Sequence, residues 1–360
     1  MSPESDRLVD RKPDFRRVEA TLHHSEPDRV PLAEAAIHYE IMSRFLERPV
    51  VDEDVPAQVE FWTKAGYDYA MFTIGMMRPG GVTQDSHISR VIQQTLAKED
   101  EDPEAWNLWK KPRIHTEADF EAFPWELAAQ LNLNKFYQAQ QYLPSGMKII
   151  AASGKIFTMS WMLMGFENLC VNLKLNPEFA GKVIEKVAQI QLEGLRQVAG
   201  IPNIAAVWAV DDIAFSSGPI LKPDMLRRYI YPYYEEFGRI CREHGLYFFY
   251  HTDGAARLFL PDLIELVGIE MLNPVQWRCP GMEREGLVAD FGDRIIFHGS
   301  IDNQQTLAFG TPEDVADEVR QSVDIYRGAR WICAPCHNLQ PVTPTENVVA
   351  MYETIHALGQ

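Results

Sequence analysis

Three polar clusters in the second half of the chain each follow a short apolar run. They are Asp211-Asp212 after AAVWAV, His251-Thr252-Asp253-Gly254 after YFFY, and Cys336-His337-Asn338 after WICAP. His251 and Asp253 are two residues apart, so on an extended chain they point to one side while Tyr250 and Thr252 point to the other. An imidazole and a carboxylate on one face suit a divalent metal, or a histidine oriented by its acid; the bland alternative is a buried histidine bonded to its neighbour. Asp211 and Asp212 point apart on a strand and cannot share a proton. One of them can act as general acid, base or substrate contact, while Asp212 is also well placed to cap the following turn. Cys336 and His337 are both competent ligands, and both face one mouth only if the backbone turns there. Asn273 and Gln276 in LNPVQW, and His298 and Asp302 in IIFHGSID, are further candidate substrate contacts. Trp161 and Trp208, with Met162 and Met164, either wall an apolar pocket or fill core.

These clusters need elements that bring them together. Eight apolar runs read as strands: VPLAEAAI, DYAMFTIG, KIIAASG, AAVWAVDDIA, YFFYHTDG, IEMLNP, IIFHGSID and WICAPCH. Helical segments lie between the later ones, over 177–199, 223–244, 255–267, 281–291 and 312–326, three of them opening on a proline that a first helical turn tolerates. Thr343 and Glu346 read as a capping box for a last helix. Strands alternating with helices predict an α/β fold, a (β/α)₈ TIM-type barrel, with an open doubly wound sheet as the alternative. In a barrel the polar clusters at the strand C-termini share one mouth. A helix over 15–23 forms an N-terminal extension. Residues 78–143 read as an irregular insertion near the mouth, with a small hairpin around HISRVIQQTL. No repeat or linker divides the chain, so residues 1–360 are read as a single domain.

The bulk composition bounds the function. The chain has 360 residues, 46% hydrophobic and 24% charged, with a net charge of −17. That charge, without a basic stretch to offset it, argues against nucleic acid and anionic membrane surfaces as partners. No apolar stretch reaches the roughly 18–20 residues of a membrane span, and the opening residues lack a signal-peptide core. The expected location is the cytoplasm. The five cysteines, Cys170, Cys241, Cys279, Cys333 and Cys336, then read as free thiols. Cys333-Ala334-Pro335-Cys336-His337 matches a c-type haem attachment pattern, but it ends a strand-like run in a chain without an export signal, which argues against haem.

From Ala205 to its end the chain resembles the uroporphyrinogen decarboxylase superfamily. The stretches that carry the resemblance are DDIAFSSGPILKPDMLRRYIYPYYEEF, HTDGAARLFLPDLIELVGIEMLNPVQ, FGDRIIFHGSIDNQQTLAFGTPEDV and HNLQPVTPTENVVAMYE, together with GKIFTMSWMLMGFENL upstream. The resemblance implies a (β/α)₈ barrel with its site at the C-terminal mouth. True decarboxylases of the superfamily carry an N-terminal arginine cluster for the porphyrinogen carboxylates, and PLAEAAIHYEIMSRF lacks it. The resemblance is therefore closer to the branch of zinc-dependent methyltransferases that exchange methyl groups with a corrinoid protein or coenzyme M. Their ligands resemble H-x-C on one strand and a cysteine before the last helix. Here the first falls on His251 and the second on Asp253. Counting back from Pro341-Val342-Thr343-Pro344, the third falls on His337, with Cys336 as a nearby substitute. The resemblance thus implies zinc, a corrinoid (cobalamin) carried by a separate protein, and a homodimer, while a His/Asp/His set, harder than two thiolates, suits a small methyl donor with an ether or hydroxyl oxygen, such as an aryl methyl ether. In that reading Asp211 protonates the leaving group. A lyase or decarboxylase acting on a small non-porphyrin substrate is the second reading, and a non-catalytic binding barrel the third.

Overall fold

The computed structural model describes residues 12–34, 36–74, 112–129 and 131–358. Seven strands form one parallel sheet in sequence order: β1 (Tyr69–Thr73), β2 (Lys148–Ser153), β3 (Ile204–Val210), β4 (Tyr247–His251), β5 (Met271–Val275), β6 (Ile296–Ile301) and β7 (Trp331–Pro335). Each strand pairs in parallel with the next. Residues on both faces of β5, β6 and β7 are buried, as a parallel sheet covered on both sides requires, so these strands read as continuous apolar runs.

The outer layer is helical. The helix Pro177–Ala199 buries Val183, Ile184, Val187, Leu195 and Val198 along one stripe and packs on β2 and β3. The helix expected over 223–244 is two helices, Pro223–Tyr229 and Tyr231–Glu243, broken at Ile230. Pro232 accounts for the break: it has no N–H to give back to the preceding turn and so opens a new helix. The last helix is Thr345–Leu358. Its first bonds go to the carbonyl of Pro344, so Pro344 takes the cap position and Thr343, the expected cap, lies one residue ahead of it. An α-helix is present at Arg16–Leu22.

The eighth strand is a correction. VPLAEAAI makes only isolated parallel bridges, Leu32 to Cys333 and Ile37 to Leu339. Pro31 removes one of the donors that a ladder would use. The segment nonetheless lies between the two edges of the curled sheet. Ala33 N donates to Cys333 O and Cys333 N to Pro31 O on the β7 side, while Asp68 N donates to Leu32 O on the β1 side. The buried carboxylate of Asp68 also accepts from Arg29 and Arg17, each at 2.8 Å. Of the proposed insertion, the helices Glu117–Ala122, Trp125–Ala128 and Asn134–Ala139 are described; HISRVIQQTL lies outside the described residues. Among the described residues, no helix is long and apolar enough to cross a membrane.

Candidate metal centre at the strand ends

His251 is the last residue of β4, and the chain turns immediately after it. Gly254 has φ +84°, and a Cβ there would collide with the backbone carbonyl of Phe215, so only glycine lets the turn pack this closely. Strand alternation carries through the turn. Thr252 faces away and accepts from Ile213 N at 3.0 Å, while His251 and Asp253 face the mouth. His337 arrives two residues past β7. One ligand atom from each of His251, Asp253 and His337 lies within 4.8 Å of the others. His337 Nε2 stands 3.1 Å from Asp253 Oδ2, and His251 Nε2 stands 3.7 Å from Asp253 Oδ1.

The surroundings orient each member. Gln276 Nε2 donates to Asp253 Oδ1 at 3.1 Å, and the same amide accepts from Gly254 N at 2.7 Å. Asp212 Oδ1 accepts from Asp253 N at 3.0 Å and lies 3.8 Å from His251 Nε2. Burial alone would push Asp253 up, yet the His337 hydrogen bond and the charges of His251 and His337 hold its carboxyl below the usual range. Burial would pull His337 down, but the hydrogen bond and charge of Asp253, helped by Asp212, raise it. The two are therefore an ion pair in the absence of a third charge.

Behind His251 runs a buried polar chain. His251 Nδ1 meets Asn273 Oδ1 at 2.5 Å, Asn273 Nδ2 meets His298 Nδ1 at 2.7 Å, and His298 Nε2 meets Tyr69 OH at 2.9 Å. The amide oxygen only accepts, so His251 carries a proton on Nδ1, and Nε2 is the atom turned toward Asp253 and His337. The amide N–H only donates, so His298 accepts at Nδ1 and is neutral; burial, with the nearby His251, brings it down to about 3. Asn273 and His298, read from sequence as substrate contacts, are 1% and 0% exposed and lie in the hydrogen-bond chain behind His251. Trp208 is likewise interior, edge-on to His298 with ring centres 4.9 Å apart. Its indole N–H has no partner among the described residues. Trp161 sits at the rim against Phe166.

Two sequence expectations do not meet this geometry. The Asp211 carboxylate is fully engaged away from the mouth: it accepts from Phe157 N and Thr158 N, both at 2.7 Å, and from Tyr234 OH at 2.6 Å. It thereby caps the start of the helix Ile156–Met164, where a negative charge and free N–H groups suit each other. Burial pushes its carboxyl up to about 6 despite the bonds from Thr158, Tyr234 and Phe157. Cys336 Sγ lies 3.1 Å from Val275 O, and burial pushes the thiol well above its ordinary range. The turn after Pro335 leaves Cys336 buried and places His337, not the thiol, beside Asp253.

A pocket of ≈ 160 Å³ adjoins the group; Gln276, Trp277, Arg278, Asp302, Asn303 and Cys336 are among its lining residues. Arg278 was missed from sequence although it stands two residues beyond Gln276, past the end of the quoted strand. Lys155, two residues past β2, was also missed. It is 7% exposed, and its charge acts on His337.

A parallel α/β chain of the barrel class, with its polar groups gathered at the strand C-termini, is what fold and site together define. The profile described as uroporphyrinogen decarboxylase (URO-D) matches residues 110–358, more than half of the chain, and the chain belongs to that family. No curated protein sequence matches it significantly. Among solved structures, a methyltransferase from Methanosarcina mazei superposes with a TM-score of 0.66 at 13% identity, covering 95% of this chain and 98% of that one. A uronate isomerase from Bacillus halodurans aligns at 10% identity with a TM-score of 0.35, over 96% of this chain and 86% of that one.

Proposed function

We propose that this chain is a metal-dependent methyltransferase that takes a methyl group from a small donor, an aryl methyl ether for instance, and hands it to the corrinoid of a separate protein. The observation that carries the reading is the convergence of His251, Asp253 and His337 at the strand ends. Family membership and a fold shared with a methyltransferase support it.

The donor set fits a zinc-type site. It consists of two imidazoles and a carboxylate, with Nδ1 of His251 anchored on Asn273, the outer-shell bond that ligating histidines make, and its Nε2 facing the other two. Three protein ligands leave a position open for substrate. A divalent ion bound there supplies Lewis acidity toward the donor oxygen, more than a thiolate-rich set would. The protein's own residues then have defined tasks. Asn273 fixes the tautomer of His251, Gln276 aims the Asp253 carboxylate, and Asp253 keeps His337 at the mouth, where a bound ion would take the place of the His337 proton. Asp211 takes no part in this scheme. The bond from the methyl carbon to the donor oxygen would break as a new bond forms to the nucleophilic cob(I)alamin, which becomes methylcob(III)alamin, and the oxygen would leave as an anion that takes its proton from solvent.

Elemental analysis of wild type beside His251→Ala tests the site, followed by methyl transfer from aryl methyl ethers to cob(I)alamin. About one metal ion per chain, lost together with transfer in the variant, is the expected result. Retained metal and transfer in His251→Ala would sink the assignment. Carbon dioxide release without cobalamin would favour a decarboxylase.

A further inference from the structure

The pocket beside the His251 group carries chemistry that the polar chain and the metal ligands do not use. Its volume, ≈ 160 Å³, is close to the about 150 Å³ that accommodates a benzene ring. Trp277 supplies an apolar wall, held by Nε1 donating to Glu318 Oε1 at 3.3 Å and by the Arg284 guanidinium 4.7 Å from its ring centre. Gln276 belongs to the pocket lining and also bonds Asp253, so one side chain separates the pocket from the candidate metal ligands.

Arg278 is the one cation among the lining residues. Its Nε donates to Asp302 Oδ2 at 2.8 Å, and its guanidinium lies 4.3 Å from the Trp277 ring centre. Asp302 is 3% exposed, and its other oxygen accepts from Gln304 N at 3.0 Å. Asp302 is thus saturated and serves to hold Arg278 in place. The two terminal amino groups of Arg278 take no partner among the described residues. A positioned guanidinium with both amino groups open is the geometry that grips a carboxylate in a two-pronged fashion. With a single such fork, the pocket suits one carboxylate and not the several of a porphyrinogen.

We propose that this pocket binds a monocarboxylate of single-ring size, its carboxylate on Arg278, its ring along Trp277 and its far end past Gln276 toward His251, Asp253 and His337. The proposal rests on the methyltransferase reading only in calling this molecule the donor; the pocket's preference for a carboxylate stands apart from it.

Calorimetric titration of the zinc-loaded full chain with 4-methoxybenzoate and with 4-methoxybenzamide separates charge from shape. The acid should bind at least about tenfold tighter than the amide, the discrimination a charge-assisted fork provides over a neutral contact, and Arg278→Gln should abolish the difference. Equal binding of acid and amide by the wild type overturns the proposal without recourse to any variant. So does a preference that survives in Arg278→Gln but vanishes in His251→Ala, because the carboxylate then sits on the metal. If the Arg278-dependent preference is present but no methyl group reaches cob(I)alamin, the pocket stands and the methyltransferase reading falls.

Discussion

Replacing Asn273 by alanine should separate the orientation of His251 from the stability of the fold. Asn273 is 1% exposed and its side chain makes two buried bonds, one to His251 Nδ1 and one to His298 Nδ1. Alanine leaves a buried donor and a buried acceptor without partners, each costing roughly 1–3 kcal/mol, so the variant should lose about 2–6 kcal/mol of folding free energy. A second effect falls on His251 itself. With Oδ1 gone, nothing selects the Nδ1–H tautomer, and a proton on Nε2 competes with metal. Loss of such an outer-shell bond lowers metal affinity by about 10–100-fold. The assay is competition for zinc against a chromophoric chelator, run beside urea unfolding of the same samples. Trp208→Phe is the control, because it alters the packing against His298 without touching the chain of hydrogen bonds, and its zinc affinity should match the wild type. A folded Asn273→Ala protein whose zinc affinity stays within about twofold of wild type would refute the argument that the chain prepares His251 for a metal.

Two further outcomes follow from buried carboxyls outside the metal group. Asp211→Ala should cost about 2–4 kcal/mol in urea melts, through the lost helix cap and the orphaned donors, while metal stoichiometry is retained; loss of metal in that variant would return Asp211 to the site. Glu34 is buried between Tyr67 and Tyr352, and burial raises its carboxyl from the usual 4.5 to about 8 against the bonds from those hydroxyls. A carboxyl raised on folding gives stability that is complete below 4.5 and is lost as pH climbs through 8. Wild type should therefore lose roughly 1.4 kcal/mol per pH unit from this group across that window, and Glu34→Gln should flatten that slope in stability–pH profiles. An identical slope in the variant would contradict the burial argument.

The seven strands were legible in the sequence because each is a short, largely buried apolar run, fully buried in β5, β6 and β7, alternating with helical segments as a parallel sheet covered by helices requires. VPLAEAAI carried the same apolar signal, but the number of ladder bonds it makes depends on partners far away in sequence and on Pro31. His251 and Asp253 were legible through strand alternation, a local property. The fate of Asp211 was not. A carboxylate at a strand end can face the mouth or the neighbouring helix, and the choice is made by where Ile156–Met164 packs, more than forty residues upstream. Asn273 and His298 were recognised as polar residues on strands. Whether they contact substrate or one another depends on strand register, which places Asn273 beside His251. Arg278 and Lys155 fell just outside the apolar runs that drew the eye, although residues one or two past a strand end are where a barrel mouth is built.

The curled sheet is joined to itself unequally. Backbone bonds tie residues 31–38 to β7 and the loop beyond it at four points, whereas among the described residues a single backbone bond, Asp68 N to Leu32 O, crosses to the start of β1. The remaining closure on that side is made by side chains, the Arg29–Asp68 pair and the hydrogen bond between Glu34 and Tyr67. Mechanically the molecule is a split ring with a clasp: outward force is resisted along β1 to β7 by continuous ladders but concentrates at one latch. Tyr69, the far anchor of the chain that steadies His251, is the residue next to that latch. The neighbours Asp68 and Tyr69 thus join the latch to the hydrogen-bond chain that ends on His251 at the mouth.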